Sequence, residues 1–75
     1  MFVVKTLTSE PIYKTFGTSR AAQRWAENGA YLEHEAHQCQ IYHTISGLNP
    51  MQAIAAVKMG KAECLLTVRR RGDVD

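Results

Sequence analysis

Apolar spacing divides the chain into β-like runs and two helical stretches. Phe2-Val3-Val4-Lys5-Thr6-Leu7 is rich in residues that fit a pleated surface and predicts a strand, which Thr8 to Pro11 interrupts. Ile12-Tyr13-Lys14-Thr15-Phe16 alternates and predicts a second short run, either the first strand continued past a bend or its hairpin partner. A helix capped by Thr18 or Ser19 follows. Ala21, Ala22, Trp25 and Ala26 fall on its inner face, Arg20, Gln23, Arg24 and Glu27 on its outer face, and Asn28-Gly29 supplies a stop. Trp25 is the largest apolar group in the chain and is the expected core anchor of that helix.

Ala30 to Gln38 carries two patterns at once. Tyr31-Leu32-Glu33-His34-Glu35-Ala36 suits a helix by propensity but alternates like an edge strand, and the strand is the favoured reading. Cys39, Ile41, His43 and Ile45 then share one face of a run whose other face holds Gln40, Tyr42 and Thr44.

The best specified element is the second helix. Asn49 is a good N-cap, Pro50 suits the first helical position, and Gln52 stands where it completes a capping box. Leu48 and Ala53 are spaced for a hydrophobic staple, Lys58 suits the C-terminal end of the helix dipole, and Gly60 can take the left-handed conformation that closes the helix. Ala62 to Val68 is a strand by alternation, with Ala62, Cys64, Leu66 and Val68 on one face and Glu63, Leu65 and Thr67 on the other.

Strand, helix, two strands, helix, strand is the order of a split βαβ unit. The expected fold is therefore α+β, a small two-layer sandwich in β-α-β-β-α-β (ferredoxin-like) order, with two helices on one face of an antiparallel sheet. The alternative is a three-stranded α+β arrangement in which Ala30 to Gln38 extends the helical part. Residues 1–68 form a single globular domain in this reading and 69–75 a basic, flexible C-terminal tail.

Composition narrows the function classes without naming one. At 75 residues the chain has a marginal core, which favours self-association or a partner. Hydrophobic residues at 45% and charged residues at 21% are globular usage. Nine Lys and Arg against seven Asp and Glu give a net charge of +2, which permits an acidic partner without demanding one. Lys5 interrupts the short apolar run at the start, so no signal peptide is expected, and no run approaches membrane-spanning length. The expected location is the cytoplasm, with Cys39 and Cys64 as reduced thiols.

The candidate chemistry is thin. His34, His37, Cys39 and His43 are zinc-binding types, but their spacing is not that of paired knuckles, so no metal is expected. There is no glycine-rich phosphate loop, no paired acidic motif and no positioned base for a cysteine nucleophile, so no catalytic residue or cofactor is assigned and the chain is not expected to be an enzyme. Two binding hypotheses follow. In the first, a small non-catalytic protein-interaction module acts as accessory subunit or inhibitor of a larger protein or complex. It would dock that partner or a second copy through Ala55, Ala56 and Met59 on the outer side of the second helix, or through Tyr42 and Leu65 on an open sheet face. The alternative is a sheet-based RNA-binding module in which Tyr42 stacks on a base and Arg20, Arg24, Arg69, Arg70 and Arg71 hold phosphates. Arg71-Gly72-Asp73 reads as an integrin-binding tripeptide and is set aside as coincidence in a cytoplasmic chain.

Overall fold

A computed structural model describes residues 1–72. Four strands, β1 (Phe2–Thr6), β2 (Tyr13–Phe16), β3 (Gln38–His43) and β4 (Glu63–Arg69), form one antiparallel sheet in the order β2-β1-β3-β4. The run at residues 12–16 is thus the hairpin partner of β1, with Phe2 opposite Phe16 and Lys5 opposite Tyr13. Its loop is tied by Thr6, whose N–H donates to Ile12 O at 2.9 Å and whose Oγ1 accepts from Ile12 N–H at 2.8 Å.

Between β2 and β3 lies one continuous helical run. Helix α1 (Ser19–Arg24) passes into a π-helical turn (Trp25–Gly29) and then into α2 (Ala30–His34). Thr18 caps it, its Oγ1 accepting from Ala21 N–H at 3.2 Å. The expected strand at Ala30 to Gln38 is therefore corrected: residues 30–34 are helical, and the helix does not stop at Asn28-Gly29. It stops at Glu35, a non-glycine residue in the left-handed conformation at φ 55°.

Gly29 has a different task. It is helical, and a Cβ built there would sit 2.4 Å from Trp25 Cδ1, so the absence of a side chain is what lets the indole lie along the helix. From that position Trp25 Nε1–H donates to Glu33 Oε2, and Trp25 keeps only 8% of its surface exposed.

The second helix, α3 (Pro50–Lys58), is built as its sequence specifies. Asn49 Oδ1 accepts from Gln52 N–H at 2.8 Å while Gln52 Oε1 accepts from Asn49 N–H at 3.0 Å, and Gly60 takes φ 73° after the last turn. Leu48 and Ala53 belong to the same apolar cluster, as a staple requires.

The core consists of two clusters, one on each side of the sheet. Val4, Cys39, Ile41 and Val68 pack with Ala22, Trp25, Ala26 and Ala30 of the long helical run, joined by Phe2 and Phe16. Val3 packs with Ala53 and Val57 of α3, flanked by Tyr13, Tyr42 and Ile54. The chain is an α+β domain, but the expected two-layer arrangement is corrected. Strand order departs from the ferredoxin-like one, and the helices lie on opposite faces of the sheet. The physical reason is visible in β1, where Val3 and Val4 are neighbours that point to opposite faces and both are fully buried.

Alternation in β4 is interrupted by a bulge. Ile41 faces Leu66 and Tyr42 faces Cys64, so Leu65 has no partner in the register. Cys64 takes the position beside Tyr42 that strict alternation gives to Leu65, and Glu63 moves to the face of Ile41. Beyond β4, Arg70 N–H donates to His37 O and Arg71 N–H to Glu27 O, each at 2.7 Å, so residues 69–71 of the expected tail are held by strand pairing or backbone hydrogen bonds. Asp73, and with it the full tripeptide Arg71-Gly72-Asp73, lies outside the described residues.

Candidate interaction surface

Helix α3 covers only part of its sheet face, since it packs on β1 and β2 at one side of the sheet. Its inward residues are Ala53 and Val57, which are buried, while Ile54 is half-buried. Several other apolar residues of the helix and its approaches stand largely in solvent. Met51 is 82% exposed, Ile45 75% and Met59 65%.

Ile45 and Met59 border a groove of about 330 Å³. One wall is α3, with Ala55, Ala56 and Met59; the other is the segment before the helix, with Ile45 and Leu48, and Lys61 also lines it. The lining is almost wholly apolar. Alanines at 55 and 56 matter for its shape, because a larger side chain at either position would fill the space. A second, smaller hollow of about 270 Å³ on the other flank is bounded by Met51, Ile54, Ala55 and Lys58. Ala55 belongs to both, so the exposed side of α3 is apolar on each flank.

The remaining sequence candidates divide between surfaces. The structure brings Ala55, Ala56 and Met59 together in the groove. It does not bring Tyr42 and Leu65 together on an open sheet face. Val3 on that face is fully buried under α3, the Tyr42 ring packs against the same cluster, and Tyr42 O–H donates to Gln40 Oε1 at 2.7 Å. Burial also pushes the Tyr42 phenol above its ordinary pKa. Leu65 is the bulged residue of β4, 44% exposed.

The arginines do not converge on Tyr42. Arg24 and Arg71 line a polar hollow with Glu27 and Asn28, while Arg70 stacks on Tyr31, its guanidinium carbon 3.5 Å from the ring centroid. Arg69 stands opposite Gln38 on the α3 side of the sheet, and Arg20 is exposed on α1. Only Arg24 and Arg71 share a site.

The histidines and cysteines are dispersed. His34 meets Trp25 edge-on, His37 meets Tyr31, and His43 lies 4.9 Å from the Phe2 ring. Among the described residues no three His, Cys, Asp or Glu side chains are grouped to hold a metal ion. Cys39 is buried, and burial pushes its thiol up to about 11, which disfavours the thiolate needed of a nucleophile or ligand. Cys64 is exposed.

Sequence reasoning did not find Ile45, Leu48 or Met51 as surface components. The signal was available: Ile45 and Leu48 precede, and Met51 stands in the first turn of, a helix whose inward face is filled by Ala53 and Val57. No helix among the described residues is long and apolar enough to cross a membrane. No family model, curated protein or solved structure matches the chain.

Proposed function

We propose that the protein is a small non-catalytic protein-interaction module, an accessory subunit or inhibitor of a larger protein or complex, and that it docks its partner in the groove beside α3. The observation that carries this reading is the apolar lining of that groove. Ile45, Ala55, Ala56 and Met59 stand outside both core clusters, and burying them against a partner would remove apolar surface from water at about 25 cal/mol per Å². Met is adaptable at such contacts, and alanine lets another backbone come close. The non-catalytic part rests on the dispersal of the titratable groups and on the raised thiol of Cys39.

The test compares variants of the full chain as bait in a lysate of the source cells. Ala56→Glu and Met59→Glu put a charge in the groove, and Leu32→Glu, at a site 72% exposed on α2, is the control. A protein captured by wild type and Leu32→Glu but lost with both groove variants supports the reading. Identical capture by all four baits overturns it.

A second reading draws on the Arg24–Arg71 hollow, which pairs two guanidinium groups at one polar site. There the alternative function, nucleic-acid binding, would rest on phosphate contacts alone, since Tyr42 is engaged in the core. Its affinity for RNA would then fall steeply with salt, and Arg24→Gln with Arg71→Gln would flatten the slope. No binding at low salt rules it out.

A further inference from the structure

The two edges of the sheet are unlike. β2 is four residues long, carries Lys14 and is packed by α3, which are ordinary ways of closing an edge. β4 runs for seven residues, contains no proline and has no charged side chain between Glu63 and Arg69. Cys64, Leu65, Leu66 and Thr67 at its centre are all exposed. Such an edge is a template for another strand.

We propose that β4 pairs antiparallel with β4 of a second copy, extending the sheet across a two-fold axis. This surface is distinct from the α3 groove and does not depend on it.

The hydrogen-bond pattern fixes the register. Arg70 N–H donates to His37 O, so alternate residues Val68 and Leu66 also address β3, and the backbone groups of Arg69 and Thr67 point outward. The bulge at Leu65 shifts this alternation by one residue, so Cys64 points outward as well. Outward groups must meet outward groups. Of the registers that achieve this, the one that engages Cys64 as well as Thr67 and Arg69 sets Thr67 opposite the second copy's Cys64, with the two-fold axis between Leu65 and Leu66. Cys64 and Thr67 stand opposite Tyr42 and Gln40, so both side chains are on the same face, as a continuous sheet requires.

Charge selects a second copy in antiparallel orientation. The strand starts at Glu63 and ends at Arg69, followed by Arg70 and Arg71. Antiparallel pairing brings Glu63 to one diagonal step from the second copy's Arg70, about 7–8 Å. Parallel pairing would set Glu63 on Glu63 and three arginines on three arginines. Lys61 precedes the strand and lies outside the paired centre.

The experiment measures mass in solution and cross-linking of the intact chain. Wild type should have about twice the 8.4 kDa chain mass, falling to monomer on dilution. Thr67→Pro removes an N–H that is outward and unpaired in the monomer, so it should leave the fold intact by circular dichroism and give monomer at every concentration. Thr67→Cys should form a reducible covalent dimer under mild oxidation. Opposed Cα atoms in a hydrogen-bonded pair are about 5.5 Å apart, within disulfide range. Wild-type Cys64 should not form one, being about 10 Å, three residue steps, from its counterpart. Ala56→Glu, in the groove, should remain dimeric. A monomeric wild type overturns the proposal. So does a dimer that survives Thr67→Pro, that Thr67→Cys cannot trap, or that Ala56→Glu alone dissociates. If Thr67→Pro fails to fold, the Thr67→Cys cross-link decides.

Discussion

Gly29 shows how one position can be legible as a residue type and misread in role. Next to Asn28 it has the composition of a helix stop, yet its φ of −60° is helical and its contact is with the Trp25 indole. In an exposed helix Gly→Ala gains about 1 kcal/mol from propensity. Here the added methyl meets the ring at 2.4 Å, and Trp25 cannot yield because it is packed in the core and bonded to Glu33. Overpacking of this kind costs about 1–3 kcal/mol, which exceeds the propensity gain. Gly29→Ala should therefore lower the urea midpoint; an unchanged or raised midpoint would mean that the indole can relocate freely. Glu33 carries the partner prediction. The Trp25 hydrogen bond, aided by Lys14 at 3.7 Å, holds its carboxyl below the usual carboxylate range. A depressed folded pKa means that the stabilisation is present above the unfolded value and is lost as pH falls through the folded one. Trp25 fluorescence should accordingly change in the acid range below the ordinary glutamate pKa, and Glu33→Gln, which keeps an acceptor but no titrating group, should abolish that step.

At the scale of elements, legibility followed locality. Every signal for α3 lies within thirteen residues, from Leu48 to Gly60, and each one is realised in the structure. The strand expected at Cys39 to Ile45 was equally local and is observed as β3, which ends at His43, so that Thr44 and Ile45 lie beyond it. What failed depended on distant partners. Nothing in Ala30 to Gln38 records that Ala30 and Ala36 are buried in the Trp25 cluster, which draws 30–34 into the helix. Nor does Glu63 to Arg69 announce a bulge, because alternation describes an ideal strand and the bulge arises in pairing with β3. The strength of the α3 cap can be measured. Asn49→Ala leaves the Gln52 N–H without its acceptor and should cost about 1 kcal/mol. For a domain of this size that corresponds to a fall in Tm of about 4–8 °C. Asn49→Asp, which preserves an acceptor, should recover most of it; equal losses for the two variants would show that the cap contributes little.

The whole molecule has helices on both faces of its sheet, with β1 buried between them, and one clue to this was present in the sequence. Phe2-Val3-Val4 is a continuous apolar run, the pattern of a strand covered on both sides, whereas a strand with one open face alternates. The groove was half legible: Ala55, Ala56 and Met59 follow from helical spacing, but their meeting with Ile45 depends on where the preceding turn folds.

The two clusters are unequal, and that inequality should govern the order in which the protein opens. Trp25, Ile41, Val4 and their neighbours form the larger cluster, whereas α3 is held chiefly by Val3, Ala53 and Val57, with half-buried residues at its rim. Local opening free energy scales with the apolar contacts that must be broken. Helix α3 should therefore open without the rest of the domain, exposing its amides while β1 and β3, at the centre of the sheet, exchange only on global unfolding. Native-state hydrogen exchange reads this directly. Amides of Ile54 to Lys58 should exchange faster than those of Val4 and Ile41, and denaturant should accelerate them less because a smaller surface is exposed. The same experiment bears on function: an occupant of the groove must hold α3 in place, so adding a bound partner should raise protection in α3 more than in β1. Equal protection and equal denaturant dependence in the two regions would mean that the clusters open as one unit, and the distinction drawn between them would fail.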